Sequence, residues 1–212
     1  MIAKLYKENR LFFLLFLLFV LVAAFILLFF SKADGFIFLN PYHSTFLDWF
    51  FIFSTYLGDG LFCVALGLLF FLFKKKYLGL MVISSYLLSG FVAQVLKYFI
   101  LEARPAVFFE KIKYDNFITD VTLHNYHSFP SGHTASAFAL AAILSFSVKN
   151  KFYSLLFLGI AILVGYSRIY LGQHFLDDVL AGAVVGVVSE IFCWIFFSKI
   201  FLHVLNKATF KK

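Results

Sequence analysis

Three short stretches of this chain hold residue types that can bind and cleave an anionic group. KYFILEARP carries Lys97 and Arg104, followed by Pro105. FPSGHTASA carries Ser131, Gly132 and His133 directly behind Pro130. SRIYLGQHFLDDVLAG carries Arg168, His174 and Asp178. A neutral imidazole is a nucleophile near neutral pH. A carboxylate on one ring nitrogen fixes its tautomer and leaves the other nitrogen free. His174 and Asp178 stand at i and i+4, so they share a face if the following helix begins early, and Asp178 is expected to hold His174. The free amides and positive dipole of a helix start make an anion site, and Pro130 to His133 read as such a cap and first turn. Lys97 and Arg104 are about two helical turns apart, which predicts both on one face of a helix that Pro105 ends.

Each group also has a bland reading. Cations near the ends of membrane spans commonly snorkel to headgroups. Ser-Gly-His-Thr is equally a polar cap at a membrane boundary, and His174 an ordinary interface histidine. Those alternatives stay open until the elements carrying the residues are placed.

The chain is 63% hydrophobic, with 33 phenylalanines and a mean hydropathy of +0.94, which belongs in lipid. Six apolar segments read as spans, at about 11–30, 57–73, 78–101, 134–149, 152–169 and 179–200, the fourth the shortest. The first is too long for a signal-peptide core, and no small-residue cleavage site precedes SKADG. The expected architecture is an all-α integral membrane protein: one six-helix bundle over residues 1–212, without linker, repeat or second domain. The stretch HSTFLDWFFIFSTYLGDG reads as an interfacial helix.

The net charge of +7 forms no basic arm that would suit nucleic acid, and follows from topology instead. With a cytoplasmic N-terminus, the inner ends hold 12 of the 18 basic residues: Lys4, Lys7, Arg10, Lys74, Lys75, Lys76, Lys149, Lys151, Lys199, Lys207, Lys211 and Lys212. The outer side holds Lys32, Lys97, Arg104, Lys111, Lys113 and Arg168. Both termini are then inside, and all three polar stretches meet at the outer face. An anion pocket with two imidazoles accounts for every one of them, and phosphate chemistry is the natural candidate. Cys63 and Cys193 sit in apolar runs and suggest neither a disulfide framework nor a metal site.

Taken together, K-x6-R-P (Lys97 to Pro105), P-S-G-H (Pro130 to His133) and S-R-x5-H-x3-D (Ser167 to Asp178) resemble the three signature motifs of the type 2 phosphatidic acid phosphatase superfamily. They match in type, order and spacing. The resemblance implies a lipid phosphate phosphatase in which His174 attacks phosphorus and becomes a phosphohistidine. Asp178 would orient His174, with Asp177 a solvated neighbour, and His133 would protonate the leaving oxygen. Lys97, Arg104, Arg168, Ser131 and the Gly132 amide would hold the phosphate oxygens. It implies no cofactor and no metal, since three cations take the part of magnesium and the sequence shows no carboxylate cluster to hold one. Implied partners are a phosphorylated lipid and the bilayer. Candidate substrates are undecaprenyl pyrophosphate (favoured because an outward site suits its recycling), phosphatidylglycerophosphate or phosphatidic acid, and lipid A phosphate. The expected location is a bacterial inner membrane.

Two other readings compete. The same phosphohistidine could pass its group to an acceptor lipid, making a phosphotransferase. Alternatively, a non-catalytic lipid-binding or transport protein would use the cations for affinity alone, which leaves the His174–Asp178 pair without a purpose. Related soluble haloperoxidases use a similar pocket for vanadate, but six apolar spans argue against that. His43, His124 and His127 read as surface or interface histidines, and His203 as irrelevant. Gly182 and Gly186 read as a close-packing step within the bundle. Glu190 has no assigned role.

Overall fold

In the computed structural model, residues 1–110, 114, 116–118 and 121–209 are described, with 201–209 as backbone alone. Lys111, Lys113, Lys211 and Lys212, all used in the topology count, lie outside the described residues, as do the side chains of His203 and Lys207. Among the described residues the chain is helical: α1 Ile2–Glu8, α2 Arg10–Phe29, α3 Lys32–Leu39, α4 Thr45–Thr55, α5 Gly60–Leu72, α6 Lys76–Phe99, α7 Pro105–Glu110, α8 Gly132–Ser147, α9 Tyr153–Tyr170 and α10 Leu176–Thr209.

Helices α2, α6, α9 and the Leu176–Ile200 part of α10 are each long and apolar enough to cross a membrane. Counting α4 and α5 with the 3-10 turn between them as one bent span raises the number to five. The six expected spans are not all present as full-length helices. In place of 57–73 stands α5, whose 13 residues reach only about 20 Å. Its chain continues outward through a 55° bend into α4, the aromatic helix expected at the interface. The bend falls at Asp59, whose carboxylate caps α5 by accepting the Leu61 N–H at 2.7 Å. In place of 134–149 stands α8, 16 residues long.

That short helix is the axis of the bundle. From Thr134 to Phe146 all but one of its residues are buried, enclosed mainly by α6, α9 and α10. Lipid tails are as apolar as leucine, so close backbone approach drives this packing rather than water exclusion. The glycines of α10 permit it, as expected. A Cβ on Gly182 would lie 2.5 Å from the Ser131 carbonyl oxygen, and one on Gly186 would collide with the Ala135 carbonyl. By contrast α2 shows Leu14, Leu17, Leu18 and Leu21 on its exposed surface, an outer helix facing lipid. Glu190 is fully buried in α10 beside Ser85 of α6.

Two boundaries differ from expectation. Helix α6 stops at Phe99, before 101, and Pro105 opens α7 where it was expected to close a helix. Proline suits a first helical position, where its missing N–H costs nothing, and it pushes the preceding residue out of the helical region. Arg104 therefore lies on extended chain, not on the Lys97 face of one helix.

Candidate active site

The three polar stretches do converge. His174 lies in the loop between α9 and α10, its backbone N–H donating to the Arg168 carbonyl at 3.1 Å. Asp178 is the third residue of α10, and its carboxylate turns back to accept the Phe175 N–H at 2.8 Å. This is the carboxylate half of a capping box. The same oxygen, Oδ2, stands 3.3 Å from His174 Nδ1. The expected pair is thus present by a different route, with His174 ahead of the helix and Asp178 reaching back over its start. Both side chains are buried, and His174 Nε2 has no hydrogen bond to a described residue.

Ser128 joins this pair and was missed in the sequence. Its hydroxyl donates to Asp178 Oδ2 at 2.5 Å and lies 3.4 Å from His174 Nδ1. Its carbonyl accepts Lys97 Nζ at 3.3 Å. The Lys97 ammonium also donates to the His127 carbonyl, and His127 Nδ1 meets the Lys97 carbonyl at 3.1 Å. His127, read as a bland surface residue, is therefore the clamp on Lys97. Its positive φ of 58° lets the chain double back there.

Arg104 donates through Nε to the Tyr126 carbonyl at 3.1 Å and through Nη1 to Gln173 Oε1 at 2.8 Å. Gln173, buried directly before His174, ties on to the Thr122 carbonyl at 3.1 Å. Arg168 is 8% exposed and donates to Thr55 Oγ1 of α4 at 2.8 Å. The Arg168 Nε has no partner among the described residues, which leaves a donor for an arriving anion. Burial first, then the charges of Arg168, Arg104 and Lys97, hold the His174 imidazole well below the usual histidine range. Both effects favour the neutral ring over the imidazolium, and the neutral ring is the form a nucleophile needs.

Helix α8 supplies the other wall. Ser131 caps it, accepting the Thr134 hydroxyl at 2.8 Å and the Thr134 N–H at 3.4 Å. Its own amide donates to the Asp178 carbonyl at 3.0 Å, locking the two helix starts together. The Ser131 hydroxyl is thus engaged in capping. The amides of Gly132 and His133 carry no partner among the described residues, and a Cβ on Gly132 would meet open space. His133 is about one-third exposed, with Nε2 3.8 Å from Asp59 Oδ2, a carboxylate the sequence reading passed over.

Two expectations are corrected here. Asp177 is not a solvated neighbour, because it pairs with Lys32 at 2.9 Å. A carboxylate cluster does exist: oxygens of Glu102, Asp177 and Asp178 lie within 4.8 Å of one another. It could not be seen in the sequence because Glu102 lies on a separate loop. Lys32 Nζ bonds two of its three members. His43, expected at the surface or interface, is half-buried. It faces Asp48 at 3.4 Å and packs on the Tyr170 ring at 4.6 Å, beside the Tyr170–Asp48 hydrogen bond of 2.6 Å.

The arrangement offers a buried imidazole, three cations from separate segments, helix-start amides unpaired among the described residues and a second imidazole. Residues 78–202 match the family model described as the PAP2 superfamily, more than half of the chain. The chain belongs to the PAP2 superfamily. A PAP2 relative named lipid A 4'-phosphatase, from Porphyromonas gingivalis, is 32% identical over 156 residues, covering 68% of this chain and 62% of its own. Phosphatidylglycerophosphatase B of Bacillus subtilis is 33% identical over 147 residues, covering 63% of this chain and 67% of its own. The chain thus spans about three-fifths of the first relative, and it matches 16% of a second, the lipid A 1-phosphatase of Porphyromonas gingivalis. Among solved structures, LpxE of Aquifex aeolicus aligns with a TM-score of 0.63 and 33% identity, over 75% of this chain and 92% of that one. The PAP2-type phosphatidylglycerolphosphate phosphatase from Bacillus subtilis aligns at 0.64 with 27% identity, over 92% and 98%. Four apolar helices of spanning length, with these membrane PAP2 neighbours, make this a membrane protein.

Proposed function

We propose that the protein is a membrane lipid phosphatase, hydrolysing a phosphate monoester or pyrophosphate of a lipid through a phosphohistidine on His174. The observation that carries this reading is the buried His174, held on Nδ1 by Asp178 with Nε2 unpaired, amid Lys97, Arg104 and Arg168. In the first step the Nε2 lone pair forms a bond to phosphorus as the bond to the lipid oxygen breaks. That oxygen takes its proton from His133, and Asp178 stabilises the positive charge left on His174. The three cations and the Gly132 amide hold the equatorial oxygens, where charge grows. In the second step water, deprotonated by His133, attacks phosphorus and the P–N bond breaks, releasing phosphate and restoring both histidines.

The substrate classes proposed are those named for its relatives: lipid A phosphates, phosphatidylglycerophosphate and undecaprenyl diphosphate. Phosphate release from a panel of these, by detergent-purified protein in EDTA, tests the reading. Release is expected from at least one member, and its loss in His174→Ala. Equal release by that variant would sink the mechanism.

The proposed setting is one domain crossing a bacterial inner membrane six times, with α4–α5 and the short α8 among the crossings. Both termini would be cytoplasmic and the site on the outer face. Single cysteines placed at Lys75 and Asn125 are expected to react with an impermeant maleimide from opposite sides of sealed vesicles. Labelling from the same side would overturn this topology.

A further inference from the structure

We infer that Lys32 is a positioning residue for the histidine nucleophile, an internal cation that holds the Glu102 loop and the start of α10 in the geometry that aims His174. This rests on the reaction proposed above.

Lys32 is the first residue of α3, far in sequence from all three motifs. Its ammonium bonds Glu102 Oε1 at 2.5 Å and Asp177 Oδ2 at 2.9 Å, and lies 4.5 Å from the centre of the Phe175 ring. Each of these contacts leads to the nucleophile through a short chain of neighbours. Glu102 is two residues before Arg104, and its carbonyl accepts the Ser128 N–H at 3.1 Å. Ser128 in turn donates to Asp178 Oδ2. Asp177 Oδ1 accepts the Asp178 N–H at 3.1 Å. Phe175 lies next to His174 and gives its own N–H to Asp178.

Glu102, Asp177 and Asp178 bring their oxygens within 4.8 Å, a spacing of the kind a cation's ligands adopt. Without a positive charge such carboxylates repel, and the one free to yield would be Asp178 or the Glu102 loop. Lys32 supplies the charge from inside the chain. Burial works against its ammonium, yet the hydrogen bonds to Asp177 and Glu102 outweigh that and hold it above the usual lysine range. A side chain that served only to pack α3 would need neither carboxylate.

The test uses the full-length protein in detergent. In Lys32→Met, kcat is expected to fall about 10- to 100-fold while KM for the lipid phosphate stays within about twofold, because geometry rather than binding is lost. Binding of orthovanadate, read from the thermal shift it causes, is expected to weaken about tenfold, as aim at a phosphoryl-like anion is lost. Lys32→Arg is expected to recover kcat to within about threefold of wild type, because it keeps the charge. Millimolar Ca²⁺ is expected to raise kcat of Lys32→Met and not of wild type, by occupying the vacated triad. Unchanged kcat and vanadate binding in Lys32→Met would overturn the proposal. So would a loss that neither arginine nor Ca²⁺ restores, which would assign Lys32 to packing alone. If Lys32→Met does not fold, the double variant Glu102→Leu, Asp177→Leu removes both acceptors of the Lys32 ammonium; it is expected to lose kcat similarly, and wild-type kcat there overturns the proposal. If the wild type releases phosphate from no lipid, the proposed reaction fails on its own account. The vanadate measurement still decides the role of Lys32.

Discussion

Oxygen Oδ2 of Asp178 is met by the Ser128 hydroxyl, the Phe175 N–H and the His174 ring, while Oδ1 has no partner among the described residues. One atom therefore both caps α10 and fixes the imidazole. Asp178→Asn keeps the size but replaces an acceptor with an amide that can present N–H to Nδ1, favouring the wrong tautomer. Steady-state assays are expected to show kcat about 10²- to 10⁴-fold lower with the protein still folded, and unchanged kcat would remove Asp178 from the reaction. A second expectation concerns pH. His174 lies well below the usual histidine range because burial and three cations oppose its charge. Removing one cation, as in Arg104→Ala, lowers the cost of imidazolium and must move its titration upward. NMR titration of His174 in the free protein is expected to show the neutral ring down to well below pH 6.5 in wild type, with the midpoint closer to that value in the variant. The sign for stability follows: a histidine lowered on folding contributes nothing above its unfolded pKa, and costs stability as pH falls from there toward its folded pKa. That His174, Asp178 and the three cations would converge was legible in the sequence because their types are rare in lipid and their spacing is short. Ser128, Gln173, Thr55, Asp59 and Lys32 were not. They are ordinary residue types, all but Gln173 brought in from outside the three stretches, and no local pattern announces a contact across 50 to 145 positions.

At the scale of elements, the glycines of α10 decide how closely the two helix starts approach. Gly186 stands against the Ala135 carbonyl, backbone that cannot turn aside, whereas a Cβ on Gly90 of α6 would meet nothing within 4 Å. Gly186→Val is expected to lower thermal stability and phosphatase activity together, because it pushes α10 from α8 and the Asp178–Ser131 contact lies along the same seam. Gly90→Ala is expected to change neither. Melting curves and initial rates of the two purified variants check this, and a tolerant Gly186→Val would mean that the seam is not close-packed. Helices built from long apolar runs, α2, α6, α9 and α10, were readable within a few residues because lipid imposes length and hydropathy together. Those that break the rule were less so. Helix α5 is short because Asp59 caps it and the chain bends there. Arg104 left its expected face because Pro105 begins a helix rather than ending one.

For the whole molecule, the site is the meeting point of segments spread over most of the chain: Lys32 from the start, Thr55 and Asp59 from the bent pair, and Asp178 from the last helix. The central α8 is the least able of the enclosed helices to stand alone. It is 16 residues long and carries His133, Thr134, Ser136, Ser145 and Ser147. Such a segment gains little by partitioning into lipid by itself, and its small residues gain from contact only when partners are present. Of the three helices that enclose it, α6 precedes it in the chain, while α9 and α10 emerge from the ribosome after it. The packing of α8 is therefore expected to be complete only once the last helix has been inserted, and that helix brings Asp178 with it. A nascent or truncated chain holds His133 without an ordered His174. The second histidine of the site would then be ordered only at the final step of the chain's own assembly.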